Sequence, residues 1–145
     1  MVNIRRMNKE DCKEAAALEK EVLSLPWSGA GFVEALSMEH NIFLVAEEEG
    51  AVCGYIGMYV SLDEGEITNV AVSPAKRGHG IGDMLLEASL NEAKSAKLFQ
   101  VVLEVRVSNE PAKTLYESMG FVPVGRRPRY YSRPIEDADI LRKEL

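Results

Sequence analysis

The chain has 145 residues, 46% of them hydrophobic and 28% charged, which is typical of a folded globular protein and excludes a disordered one. Its 17 basic and 23 acidic residues give a net charge of −6, which argues against broad nucleic-acid binding, because that binding depends on clustered lysine and arginine. No apolar run approaches the roughly 18–20 residues of a membrane span, and the first residues lack the apolar core of a secretory signal. We therefore expect one cytoplasmic domain over residues 1–145.

The first half of the chain predicts strands on either side of two helices. Residues 2–7 alternate apolar and polar side chains, which is typical of a strand. Asn8 is placed to cap a helix over residues 12–23, with Asp11 at the third helical position, and a shorter helix runs through residues 32–38. Turn residues then separate three strands, which predicts an antiparallel meander. These strands cover residues 41–49, 51–62 and 65–72.

In the second half of the chain, helices alternate with strands. The helices are predicted over residues 83–97 and 111–120, and the strands over residues 98–107, 121–125 and 138–145. A meander followed by strands that alternate with helices predicts a mixed α/β sheet with helices on its faces.

The segment RGHGIG, residues 77–82, lies between the last strand of the meander and the next helix. A strand, a glycine-rich turn and a helix N-terminus form a common anion site, because the helix offers unpaired N–H groups and glycine lets the backbone approach a ligand. The spacing fits neither a P-loop nor a dinucleotide-binding fingerprint, since Asp83 follows Gly82 and the glycines alternate. Two interpretations stay open: a phosphate site with Arg77 as an added charge, and a turn whose glycines serve only close packing.

The pattern Arg77-x-x-Gly80-x-Gly82, which follows NVAVSP and opens a helix, resembles the acetyl-CoA signature of the GCN5-related N-acetyltransferase (GNAT) family. The resemblance implies that backbone groups of the preceding strand contact the pantetheine arm and that the loop amides hold the pyrophosphate of acetyl-CoA. It also implies a contact from Asn109, whose own pattern indicates a helix cap. The implied cofactor-binding residues are Val70, Ala71, Val72, Arg77, Gly78, His79, Gly80, Ile81, Gly82 and Asn109.

Residues 103–131, LEVRVSNEPAKTLYESMGFVPVGRRPRYY, are similar to a segment of the RimI-type ribosomal-protein alanine N-acetyltransferases within that family, and LPWS at 25–28 also matches. Met119 and Pro128 depart from the pattern: the first replaces a leucine and the second interrupts the basic strand. The resemblance implies an α/β GNAT fold, with a mixed, mostly antiparallel sheet of six to seven strands flanked by about four helices. It implies transfer of acetyl from acetyl-CoA to a protein N-terminal α-amine, with the N-terminal alanine of a small-subunit ribosomal protein as the leading acceptor.

Two residues of this segment are candidates for proton transfer. Glu104 interrupts an apolar strand, on the face that it shares with Arg106, and its pattern allows either a solvent-facing side chain or a general base. The pattern leaves two roles open for Tyr116, a structural one and that of a general acid. A phenol with a pKa of about 10 can donate a proton to a departing thiolate. The resemblance implies that Glu104 is the catalytic base and Tyr116 the catalytic acid. A backbone N–H within residues 69–72, made available by a bulge or splay, is the expected oxyanion donor.

The acceptor chemistry favours an N-terminal amine. A peptide α-amine, with a pKa of about 7.7–8.0, loses its proton near neutral pH more easily than a lysine side chain at about 10.4. The alternatives are a lysine or small-molecule amine acceptor, and a CoA-binding regulatory module without catalysis. Cys12 and Cys53 match no metal or nucleophile motif and are expected to be buried thiols. We therefore expect no metal, and direct attack of the amine in a ternary complex.

Residues 125–133, GRRPRYYSR, carry four arginines and two tyrosines in an acidic chain. The segment is either a solvated edge strand or a substrate-facing surface, and the pattern leaves both open. Peptide specificity is expected to come from this segment and from LPWSGAGF at residues 25–32, in which Trp27 is expected to be a core anchor. No nucleic-acid or membrane partner is expected.

Overall fold

A computed structural model describes residues 1–22, 29–36, 38, 40–132 and 134–145. These residues form seven strands, which share one sheet, and four α-helices. The strands are β1 (Val2–Arg6), β2 (Ile42–Glu48), β3 (Ala51–Ser61), β4 (Glu64–Val72), β5 (Gln100–Arg106), β6 (Val122–Ser132) and β7 (Ile135–Glu144). The helices are α1 (Cys12–Val22), α2 (Gly29–Leu36), α3 (Ile81–Ser95) and α4 (Glu110–Ser118), and 3₁₀ turns cover Lys9–Asp11 and Pro74–Lys76.

The sheet has the strand order β1-β2-β3-β4-β5-β7-β6. Among the strands of the described residues, only β4 and β5 pair in parallel, and the other neighbouring strands pair antiparallel. The predicted meander is confirmed as β2-β3-β4, and β1 joins it by pairing with β2. The predicted mixed, mostly antiparallel sheet is confirmed with seven strands. The assignment of residues 1–145 to one domain stays a prediction.

Helices cover both faces of the sheet at β2. Leu44 of β2 belongs to a core that includes Leu85 of α3, whereas Phe43 belongs to a second core that includes Phe32 of α2 and Ala15 of α1. Successive side chains of a strand point to opposite faces, so a strand between two helical layers is apolar at every position. The two cores place α1 and α2 on one face of the sheet and α3 on the other.

The start of the first helical segment follows the predicted cap. The Asn8 side chain accepts a hydrogen bond from the Asp11 N–H, and the Asp11 carboxylate accepts one from the Asn8 N–H at 2.8 Å. This reciprocal capping box satisfies two N–H groups that a helix start leaves unpaired. No helix in the described part of the chain is long and apolar enough to span a membrane.

Several element bounds differ from the predicted ones, most of all in β6. Helix α3 begins at Ile81, two residues before the predicted start, and β7 begins at Ile135 instead of residue 138. The prediction that a strand ends at residue 125 is wrong, because β6 continues to Ser132. Its register to β7 shifts between Arg127 and Tyr131, so Pro128, which has no N–H to donate, lies in an irregular stretch of an edge strand.

Candidate active site

The parallel strands β4 and β5 separate partway along their length. They pair from Glu64 and Gln100 as far as Ile67 and Leu103, and beyond that point no described residue of β5 pairs with β4. On its other side, β4 contains a bulge at Thr68, which has no partner on β3. The expected bulge and splay are therefore both present in the strand that was predicted to supply the oxyanion donor.

A cavity of about 440 Å³ lies in the opening between the two strands, a size within the range of small-molecule sites. Four elements and one loop residue form its wall, which brings polar side chains from distant parts of the chain together. They are Ile67, Thr68, Asn69 and Val70 of β4, Glu104, Val105 and Arg106 of β5, Asn109, Ala112, Leu115 and Tyr116 at α4, and Tyr130, Tyr131 and Ser132 of β6.

Glu104 lies in this wall with 13% of its side chain exposed. Its Oε2 atom is buried and accepts no hydrogen bond from the residues that the structure describes. Arg127 Nε lies 3.3 Å from Oε2, close enough for an ion pair, but the two groups are not aligned as a hydrogen bond. Arg106, the cation on the same strand face, instead contacts Glu136 at 3.2 Å. Glu104 is thus a nearly buried acceptor and not the solvent-facing glutamate of the alternative interpretation.

Tyr116 lies in the same wall and is 8% exposed. Its ring packs against Phe121, the residue directly before β6, with the ring centroids 5.7 Å apart. Burial, with a smaller contribution from Tyr131, raises the pKa of Tyr116 to about 12. The phenol is therefore protonated across the physiological pH range and is a donor.

Asn109 caps α4 and also lines the cavity. Its side-chain oxygen accepts a hydrogen bond from the Ala112 N–H at 3.2 Å, which confirms the predicted cap. A contact from Asn109 to a cofactor stays a prediction.

The glycine segment forms the turn into α3. Gly78 and Gly80 have φ angles of +82° and +77°, in the left-handed region that glycine adopts without strain, and no atom would lie within 4 Å of a Cβ on either. Gly82 has no positive φ, and a Cβ there would lie 3.5 Å from Leu115 Cδ2. Because Leu115 belongs to the cavity wall, this contact joins the N-terminus of α3 to the cavity.

The other predicted cofactor residues differ in what they can present to a ligand. Arg77 and His79 are exposed, whereas Ile81 and Ala71 are buried in the two cores, so the last two can offer only backbone groups. Val70 lines the cavity. Val72, at the end of β4, pairs with Gly54 of β3.

Residues 125–132 bear on both interpretations that the sequence left open, and a substrate-facing role stays a prediction. They form part of the edge strand β6, and Tyr130 and Tyr131 line the cavity. The Arg106 guanidinium lies 4.3 Å from the centre of the Tyr131 ring, a cation–π contact that holds this wall. Burial and then the Glu104 carboxylate raise the pKa of Tyr130. Residues 25–28, with Trp27, and Arg133 lie outside the described residues.

Sequence reasoning missed two acidic residues near the cavity. Glu66 lies on the same sheet face as Glu104, and partial burial and then the charge of Glu104 raise its pKa. Glu19 of α1 is fully buried and accepts a hydrogen bond from the cavity residue Asn69. Glu19 falls four residues after the buried Ala15, and residues four apart lie on the same face of a helix. The sequence could therefore have shown that Glu19 is a carboxylate on the apolar face of α1.

Comparison with known proteins gives the family. The model of the acetyltransferase (GNAT) family matches residues 4–121, which is most of the chain. This chain belongs to the GNAT acetyltransferase family. The acetyltransferase is 33% identical to the ribosomal protein bS18-alanine N-acetyltransferase of Salmonella typhimurium, over 97% of this chain and 96% of that protein.

Solved structures agree with this assignment. The ribosomal-protein-S18-alanine N-acetyltransferase from Escherichia coli superposes with a TM-score of 0.93 and 31% identity, over 100% of this chain and 94% of that chain. The NatC complex bound to Gag peptide and CoA contains a chain with a TM-score of 0.87 and 27% identity, over 99% of this chain and 98% of that one. The resemblance to the GNAT family and its RimI-type members is confirmed, and the protein is an N-acetyltransferase.

Proposed function

We propose that this acetyltransferase moves acetyl from acetyl-CoA to the N-terminal α-amine of a protein, with the N-terminal alanine of a small-subunit ribosomal protein as the leading acceptor. The Salmonella and Escherichia coli relatives are named for alanine of ribosomal protein S18, and this chain covers nearly all of each. The NatC chain is similar over nearly its whole length, and the complex that contains it is bound to a Gag peptide and CoA. The cytoplasmic location expected from the sequence stays a prediction.

One observation carries the mechanism: Glu104 and Tyr116 come from different elements and line the same cavity. The Glu104 carboxylate has a buried oxygen without a hydrogen-bond donor among the described residues, and such an oxygen gains most from an incoming N–H. Glu104 thus takes the proton of the attacking amine. Tyr116 is a protonated phenol in the same cavity, and it donates its phenolic proton to the departing sulfur.

The residues around β4 and α3 fit the acyl donor. Gly78 and Gly80 leave open space where side chains would stand, and the N-terminus of α3 offers N–H groups to an anion. Beyond Ile67, the side of β4 that faces β5 has no strand partner among the described residues, so its backbone groups can bind an extended ligand. Acetyl-CoA supplies a thioester carbonyl, and a β4 backbone N–H is our proposed donor to the oxyanion.

Direct attack by the amine, without an acyl-enzyme, is consistent with the position of the cysteines. Cys12 and Cys53 are buried, and burial raises the pKa of both thiols. Neither lines the cavity. A buried thiol with a raised pKa is a poor nucleophile, so we assign the acyl transfer to one step between donor and acceptor.

A peptide panel tests the acceptor. Peptides with a free N-terminal alanine are compared with the same peptides carrying a blocked N-terminus and a free lysine, and the products are identified by mass spectrometry. We expect acetylation of the α-amine and its loss when that amine is blocked. Turnover confined to lysine or to small amines would reject the α-amine assignment.

A Glu104→Gln variant tests the base. The change removes the proton acceptor and keeps the side-chain size, so we expect kcat to fall by about 10²-fold or more. Binding of acetyl-CoA, measured by calorimetry, should stay within about threefold of wild type, because Glu104 belongs to the acceptor side of the proposed mechanism. Unchanged turnover would remove Glu104 from the mechanism.

A further inference from the structure

A fully buried carboxylate connects α1 to the cavity. Glu19 is 0% exposed, and its Oε1 atom accepts hydrogen bonds from the Tyr55 hydroxyl and, at 2.6 Å, from the Asn69 side-chain amide. Burial and then Glu19 raise the pKa of Tyr55, which keeps that phenol a donor. Burying a carboxylate costs folding free energy unless its oxygens are hydrogen-bonded. Packing alone therefore does not explain a glutamate on the apolar face of α1.

Asn69 directly follows the bulge residue Thr68 in β4. Ile67 and Val70 both contact the α3 core although they are three residues apart, because the extra residue Thr68 shifts the alternation of the strand. The same shift turns Asn69 and Ala71 toward the α1 face. An unbulged strand would give Asn69 the face of Ile67, so its hydrogen bond to Glu19 is compatible only with the bulged register.

The Asn69 amide is held at both ends. Its nitrogen donates to Glu19, and its oxygen accepts a hydrogen bond from the Thr68 hydroxyl at 2.5 Å. Thr68 and Asn69 both line the cavity, and they directly precede the stretch of β4 whose β5 side is unpaired. The network therefore joins a buried anchor to the backbone that faces the cavity.

Building on the proposed function, we infer that Glu19 is a positioning residue for acetyl transfer. Glu19 acts through Asn69: the hydrogen bond between them holds the bulge at Thr68 in place. The β4 backbone groups that bind the acyl donor are thereby kept in a single conformation. Glu19 itself touches neither the cavity nor the reacting atoms.

The test compares variants that separate positioning from packing. Tyr55→Phe removes one donor to Glu19 but keeps the bond to Asn69, and it is the matched control. Glu19→Leu/Tyr55→Phe removes the acceptor without leaving a buried hydroxyl unpaired, and Glu19→Gln restores an oxygen acceptor. We expect kcat/KM for acetyl-CoA to fall at least tenfold in the double variant and to stay within threefold in Tyr55→Phe and Glu19→Gln. The KM for the peptide should stay within twofold in all three.

Asn69→Ala removes the hydrogen bond to Glu19 and keeps the one between Glu19 and Tyr55. It tests the positioning role independently if the double variant does not fold. It should reproduce the tenfold loss, with hydrogen exchange of the backbone amides at residues 68–72 faster than in Tyr55→Phe. Kinetic constants equal to those of Tyr55→Phe, in either the double variant or Asn69→Ala, would overturn the positioning role.

Measuring acetyl-CoA binding separates the positioning role of Glu19 from the assignment of the acceptor. Calorimetric binding of acetyl-CoA is measured for every variant without any acceptor, and we expect a dissociation constant raised at least fivefold in Asn69→Ala. If wild type acetylates no α-amine peptide while this difference in binding persists, the acceptor assignment fails and the positioning role stands. Equal binding by Asn69→Ala and wild type would count against the positioning role alone.

Discussion

The buried Tyr116 and the half-buried Tyr131 both line the cavity, and together they make the acid assignment testable at the level of single atoms. Burial is the main cause that raises the pKa of Tyr116 and of Tyr131 to about 12. Both line the cavity, so both stay protonated donors near the proposed reaction. The motif resemblance selects Tyr116 alone, and the structure supplies Tyr131 as a chemically matched comparison.

We expect Tyr116→Phe to lower kcat by about 10²-fold, because the leaving thiolate then departs without a proton. Stopped-flow or endpoint detection of released thiol measures the rate, and calorimetry should give an acetyl-CoA dissociation constant within about threefold of wild type. Tyr131→Phe should keep kcat within about threefold. Equal losses in the two variants would show that the cavity needs its phenols for shape or polarity and that Tyr116 is not the acid.

At the scale of elements, the turn before α3 shows what a motif can and cannot specify. The alternating glycines predicted a turn into a helix, and the structure has that turn, with left-handed backbone at Gly78 and Gly80. Gly82 follows the start of the helix and meets Leu115 at ordinary contact distance, so its role is close approach to α4. The sequence pattern alone did not distinguish the two uses of glycine.

Gly80→Asp tests the phosphate assignment, with Gly50→Asp as its control. Both glycines have a φ near +80° and open space at the Cβ position, but Gly50 lies in the turn between β2 and β3. Each change costs about 1–2 kcal/mol of backbone strain, which thermal melts should show for both. Only Gly80→Asp should weaken acetyl-CoA binding, about tenfold or more, because its carboxylate repels the pyrophosphate. Equal weakening by the two variants would assign the effect to strain.

Strand β6 was the element that the sequence predicted least well. The pattern ended this strand at residue 125, and an edge strand over residues 125–133 was only one of two open interpretations, since a proline inside a strand pattern favours an ending. The irregular register between Arg127 and Tyr131 accommodates Pro128 at the sheet edge, and the backbone at Arg129 has a φ of +52°. Such an irregularity depends on pairing with β7, which a local pattern does not contain.

At the scale of the whole molecule, local features were predictable and long-range side-chain pairs were not. The meander, the helices, the Asn8 cap and the candidate pair Glu104 and Tyr116 follow from spacing or from motif resemblance. The bond between Glu19 and Asn69 joins residues 50 positions apart, and nothing in either local pattern indicates it. The cation beside Glu104 is likewise Arg127 from β6 instead of its strand neighbour Arg106.

A second long-range cluster ties the N-terminal segment to the sheet. The Arg5 guanidinium of β1 donates to the Asp11 carboxylate at 2.7 and 2.9 Å and to Glu47 of β2 at 2.7 Å. Asp11 also accepts from the Asn8 N–H in the capping box. The Asp11 carboxylate thus connects the helix start to β1, and Arg5 extends this connection to β2.

Asp11→Asn should destabilise the whole fold in a pH-dependent way. The hydrogen bonds from Arg5 hold the pKa of Asp11 below its ordinary value of 3.8, so its contribution to stability is fully present above that value and is lost as the pH falls through the folded-state pKa. At pH 7 we expect a loss of about 2 kcal/mol, as for a hydrogen bond to a charged group, seen as a melting temperature lower by about 4–8 °C. The difference should shrink as the melts are taken to progressively lower pH below 3.8, because wild-type Asp11 then becomes protonated as well. Glu92→Gln, which neutralises the ion-pair partner of the exposed Arg6, should cost less than about 0.5 kcal/mol. A pH-independent deficit for Asp11→Asn would mean that Arg5 is not the source of the stabilisation.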